Sequence, residues 1–197
     1  MPNGNFNQFA KPLATRVSLG VFSSTEGLIL VGAGIVAACA LAFVPTPLRI
    51  PGHAILKAAL PIACGVALVS RPLSGTVAST SGMLTSTILM LAGIGHLPAA
   101  AIVSLVSFGP AVDFALRKAS GKGSTIFCLA IAGLGANLLA FSARWGSALY
   151  QNDLLHSLSA RQFLTSALFS FVLCGLAAGV IAGLFVLLRR RVLGISP

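Results

Sequence analysis

A guanidinium, an imidazole and an ammonium stand close together in an otherwise greasy stretch: Arg49, His53 and Lys57, with Pro61 one turn further on. His53, Lys57 and Pro61 recur every four residues, so on a helix they share one face. Proline has no N–H for the carbonyl four residues back, and its ring clashes there, so the helix is expected to loosen at Lys57. A freed carbonyl beside an ammonium and an imidazole makes a ligand corner. An ionisable residue inside an apolar run is by default a functional candidate. The plainer alternative is that Lys57 reaches out to the surface while its stem stays in the apolar layer. Asn137, in a later apolar run, offers an amide to a neighbouring helix or to a ligand, and both readings stay open.

Catalysis lacks its usual parts. The chain holds 3 Asp+Glu in all, which starves general acid–base chemistry. It has no nucleophile elbow, no paired aspartates and no HExxH. Gly133-Leu134-Gly135-Ala136 looks superficially like a phosphate-binding turn, but no strand precedes it. Cys39, Cys64, Cys128 and Cys174 fall in different apolar runs and read as small packing residues. His53, His96 and His156 lack ligand spacing. No catalytic residue, metal or cofactor is expected. Of the acids, Glu26 fits a capping box with Ser23, and Asp113 is expected to pair with Arg117 four residues on.

The elements that must position these residues follow from composition. Of 197 residues, 56% are hydrophobic and 8% charged, and mean hydropathy is +0.97. Soluble domains carry about a quarter charged residues. This excludes an ordinary soluble enzyme, a disordered chain and a disulfide-stapled module. The net charge of +10 does not read as a nucleic-acid face, because the basic residues sit singly or in short clusters between apolar runs. They read as topology signals.

A bilayer core takes about 20 apolar residues per helix. Six runs are expected to span it: 24–44, 54–70, 73–93, 97–116, 124–142 and 163–188. The second is short and carries Lys57. Placing the N-terminus inside puts Lys11, Arg16, Arg71, Arg117, Lys118, Lys122 and Arg189–Arg191 on the inner side. Only Arg49, Lys57, Arg144 and Arg161 then fall outside, and Trp145 and Tyr150 suit an outer interfacial belt. The expected fold is an all-α membrane protein: one bundle of six transmembrane helices in a bacterial-type inner membrane, with N- and C-termini cytoplasmic. The whole chain is one domain. The polar leader 1–20 is not expected to be a signal peptide.

Small residues form stripes at helical spacing: Gly175, Gly179 and Gly183; Gly75, Ser79, Gly82 and Ser86; and Ala33 with Ala37. In lipid, close backbone approach drives helix association. Most stripes are expected to serve internal packing, and the Ala33–Ala37 face is the better candidate for docking a partner. The hydroxyls crowding the third run, from Ser74 to Thr87, either bond their own backbone or line a polar cavity.

A small, basic six-helix bundle with both ends inside resembles the substrate-binding S components of energy-coupling factor (ECF) transporters. The resemblance implies capture of a micronutrient from outside, with a transmembrane T subunit and two cytoplasmic ATPases as partners. Ala33 and Ala37 match the family's AxxxA-type motif for the T subunit. The proline-rich loop leading into Gly52-His53 is similar to that of some members, including the cobalt and nickel branch. That branch has a histidine-containing N-terminus, from which Met1-Pro2-Asn3 departs, so its ligand set is not expected here. By resemblance, Arg49, His53, Lys57, Asn137 and Trp145 contact the solute, and Ala33 and Ala37 the partner. Two other classes stay open: a non-catalytic docking subunit of a larger membrane complex, and an intramembrane enzyme using His53 and Lys57.

Overall fold

The computed structural model describes residues 22–44, 51–94, 97–150 and 159–192, with side chains throughout except at 148–150 and 159–164. Arg49, His96, His156, the leader and the side chain of Arg161 lie outside the described residues. Six helices follow in order: α1 Ser24–Phe43, α2 Ala54–Val69, α3 Ser74–Leu91, α4 Ala99–Lys118, α5 Lys122–Tyr150 and α6 Ser159–Val192. No strand occurs among the described residues.

The helix starts follow from local chemistry. At α1 the Ser23 hydroxyl accepts from the Glu26 N–H, and the Glu26 carboxylate accepts from the Ser23 N–H at 2.9 Å, closing the expected capping box. The Glu26 carboxylate also takes the Arg71 guanidinium at 2.8 Å, tying α1 to the α2–α3 hairpin. Helices α2 and α4 run through Pro61 and Pro110 without a break. The α2–α3 reversal occupies only residues 70–73, and it places Ser70 and Leu73 in the left-handed region, at φ 47° and 70°. Such a conformation costs a non-glycine residue roughly 1–2 kcal/mol. Contacts hold it: Ser74 caps Arg71 at both its N–H and its carbonyl, and Arg189 of α6 donates to the Ser70 hydroxyl and to the Leu68 carbonyl.

The helices close a ring in the order α1, α2, α6, α5, α4, α3, with α2 also touching α3 and α4. Helix α2 is therefore the most enclosed, and its small residues Ala58, Ala59, Ala63 and Gly65 let neighbours approach. Glycine makes the closest seams. A Cβ on Gly133 would overlap the Gly175 carbonyl, and one on Gly179 the Leu129 carbonyl, so α5 and α6 meet backbone to backbone. Gly75 and Gly109 do the same between α3 and α4, and Gly34 sits against Ala78 and Gly82 of α3.

The outer surface is apolar. Leu28, Phe114, Phe127, Leu139, Phe169 and Leu188 are all more than half exposed, a distribution suited to hydrocarbon and not to water. Four helices, α1, α4, α5 and α6, are long and apolar enough to cross a membrane. Helix α2 falls short at 16 residues, and the hydroxyls of α3 dilute its apolar character. The fold is thus an all-helical bundle compatible with a membrane, with four of the six expected spans meeting the length and composition required.

Candidate functional site

At the end of the bundle marked by His53, four helices leave a cavity of about 400 Å³. Its wall is built from the turn Pro51–His53, the start of α4 from Pro98 to Ser104, the α5 residues Asn137, Arg144 and Ser147, and Phe171 of α6. The turn is stapled in place. Ser170 donates to the Pro51 carbonyl at 2.6 Å, and Gly52 adopts φ 84° with the Phe171 ring where a Cβ would stand. Only glycine meets both conditions. Phe171 is held edge-to-face by Phe141, with ring centroids 5.4 Å apart.

Asn137 organises this end. Its Nδ2 donates to the Phe171 carbonyl at 2.7 Å and to the Gly52 carbonyl at 3.3 Å, joining α5, α6 and the turn before α2. Those two acceptors fix the amide's orientation and leave Oδ1 buried with no partner among the described residues. A buried acceptor left unmade costs about 1–3 kcal/mol, so an orphan here invites a donor from outside the chain. Across the cavity, α4 starts at Pro98 with no side-chain cap. The first N–H groups of α4, at Ala99 and Ala100, have no acceptor within the helix and carry the positive end of its dipole. The exposed Arg144 adds a guanidinium to the same wall. The arrangement suits a small molecule with an acid group for Arg144 and the α4 amides and a hydrogen-bond donor for Asn137.

Of the residues singled out from the sequence, His53 and Asn137 come together on this wall. Lys57 does not join them: its ammonium donates at 2.6 Å to the carbonyl of Val44, which closes the C-terminus of α1. That is the surface-reaching alternative, with a helix-end carbonyl as the acceptor. Trp145 is half-buried and stands apart from the cavity wall, and Arg49 lies outside the described residues. Arg144 is the residue that sequence reasoning missed, having been read only as a topology charge. The signal was present: Asn137 and Arg144 are seven residues apart, two turns along one helix face. It was hidden because the fifth run was expected to stop at 142, whereas α5 continues to Tyr150.

Other expected features resolve by their contacts. Ala37 is fully buried and Ala33 sits where a side chain on Gly65 of α2 would go, so this face of α1 is turned into the bundle. The α3 hydroxyls Ser79, Thr80, Ser81, Thr85 and Thr87 bond their own helix carbonyls instead of lining a cavity. Asp113 makes no pair with Arg117; it reaches across to α3, accepting from the Gly75 N–H at 2.9 Å and from both the N–H and hydroxyl of Thr76 at 2.7 Å. An acid from one helix thereby caps the N-terminus of another, a position the helix dipole favours.

Comparison with protein-family models, curated proteins and solved structures returns no match.

Proposed function

We propose that this chain is the solute-capturing membrane subunit of an ECF-type micronutrient transporter, with its His53 end facing outside the cell. One observation carries the reading: a cavity at the end of an apolar bundle is lined by a guanidinium, by the uncapped start of α4 and by Asn137, whose buried Oδ1 has no partner among the described residues. The solute's acid group would lie between Arg144 and the N-terminus of α4, and its donor would meet Asn137. His53 would contribute a further polar edge, and Phe171 an apolar floor.

Capture needs no bond chemistry, so the reading asks of these residues only binding and orientation. Work for release would come from cytoplasmic ATPases through a membrane T subunit. Because Ala33 and Ala37 face inward, such a partner would meet α1 on its exposed side, at Leu28, Val31 and Ile35.

The test is native mass spectrometry of the tagged full chain, gently extracted in mild detergent from its native membrane. A retained acid-bearing small molecule, together with a second membrane protein and ATPases, is the expected result. Recovery in an assembly with neither small molecule nor ATPase would replace this reading with a docking subunit.

A further inference from the structure

The opposite end of the bundle holds a second cavity, of about 230 Å³, between the α2–α3 hairpin, the last turns of α4 and the end of α6. Three guanidiniums stand on its wall: Arg71, Arg117 and Arg190, beside Ser70 and Asp113. The charges there do not cancel. Arg71 is matched by Glu26, and the Asp113 carboxylate already accepts three hydrogen bonds from the start of α3. Arg117 and Arg190 have no hydrogen-bond or ion-pair partner among the described residues. Neighbouring Arg189 shows what a satisfied arginine looks like at this end, since it clasps the Leu68 carbonyl and the Ser70 hydroxyl.

Arginines near helix C-termini are expected on dipole grounds alone. That accounts for cations in the last turns of α4 and α6, but not for the exposed Arg117 and the half-buried Arg190 lining one recess without an acceptor among the described residues. Two guanidinium forks on the wall of one open recess suit the tetrahedral oxygens of a phosphate, which accept several parallel hydrogen bonds at once. Size agrees. At ~30 Å³ per water, the recess takes roughly eight waters' worth of volume, enough for a phosphate with a short ester arm.

We infer that this recess binds a phosphate group, with Arg117 and Arg190 as its principal contacts and Arg71 as a third donor. A phosphate can arrive on an anionic phospholipid headgroup or free in solution, and basic pockets between helix ends are known to hold headgroups. The inference does not depend on solute capture at the His53 end.

The experiment uses the full chain in detergent with three probes: inorganic phosphate, dioctanoyl phosphatidylglycerol and dioctanoyl phosphatidylcholine. Saturable binding of one of the first two is expected, with affinity for it falling at least 10-fold in Arg117→Gln/Arg190→Gln. Affinity should not change in Lys118→Gln, which alters an exposed cation outside the recess. Tighter binding of phosphatidylglycerol than of phosphate assigns the lipid source, equal or tighter binding of phosphate assigns the soluble one, and saturable binding of neither overturns the site. Phosphatidylcholine binding as well as phosphatidylglycerol, or a double variant that binds like the parent, overturns the site. Arginine-selective modification of the unaltered protein gives a second readout independent of whether the variant folds. The bound probe should shield Arg117 and Arg190 from phenylglyoxal while leaving Arg144 reactive. Equal reactivity at all three with saturating probe also overturns it.

Discussion

Asp113, one turn from the end of α4, accepts both the backbone N–H and the hydroxyl of Thr76, each at 2.7 Å. With the third bond from Gly75, a single buried carboxylate satisfies most of the first turn of α3. That turn needs outside help, because its N-cap is Leu73, in a left-handed conformation with no capping side chain. Asp113→Ala should therefore lower the stability of the purified bundle by about 1–3 kcal/mol for each buried donor left unmade. Thermal unfolding followed by Trp145 fluorescence would report it. Solute binding at the far end should survive wherever the variant stays folded.

Arg144, on the wall of the proposed solute cavity, and Lys57, away from it, test that assignment together. Losing a charge-assisted hydrogen bond costs about 1.5–3 kcal/mol, and every 1.4 kcal/mol is about tenfold in affinity. Arg144→Gln should weaken an acid-bearing solute by about 10-fold or more. Lys57→Gln should change affinity by less than about 2-fold, because its partner is the Val44 carbonyl. Isothermal titration with the solute identified by mass spectrometry distinguishes the two, and a large effect at Lys57 alone would reverse the assignment.

Glycines on α5 and α6 provide an internal control for packing. Gly179→Ala or Gly133→Ala should destabilise the bundle by about 1–3 kcal/mol, the usual cost of overpacking, since the added carbon lands on backbone that cannot yield. Gly135→Ala adds its carbon to open space and should be neutral or stabilising by up to about 1 kcal/mol from helix propensity. Equal unfolding midpoints for Gly135→Ala and Gly179→Ala would contradict the backbone-to-backbone seam.

Orientation is testable with two exposed serines at opposite ends, Ser147 on the His53 cavity and Ser120 between α4 and α5. In a background lacking the native cysteines, Ser147→Cys should react with a membrane-impermeant maleimide in intact cells. Ser120→Cys should react only after lysis. The reverse pattern would turn the solute cavity toward the cytoplasm and exclude uptake from outside.

The helices were legible because long apolar runs punctuated by Arg71-Pro72, Pro98 and Gly121 leave little choice of segment. The capping box at Ser23 and Glu26 was legible too, since both partners lie within one turn. The far ends of α5 and α6 were not. Arg144, Gly146 and Ser147 interrupt the apolar pattern while the backbone stays helical, so composition stops before the helix does. The acceptor for Lys57 and the donors to Asp113 were out of reach for another reason: they lie 13 and 37–38 residues away, on segments that no local pattern names as neighbours. The α3 hydroxyls were ambiguous by sequence because either partner, backbone or cavity, satisfies the same group.

Helix α6 carries Phe171 at one cavity and Arg190 at the other, with no proline between them. At 1.5 Å per residue these positions are roughly 28 Å apart on a single rod. While that rod stays helical, a lengthwise slide of the aromatic floor is the same slide of the cation at the other mouth.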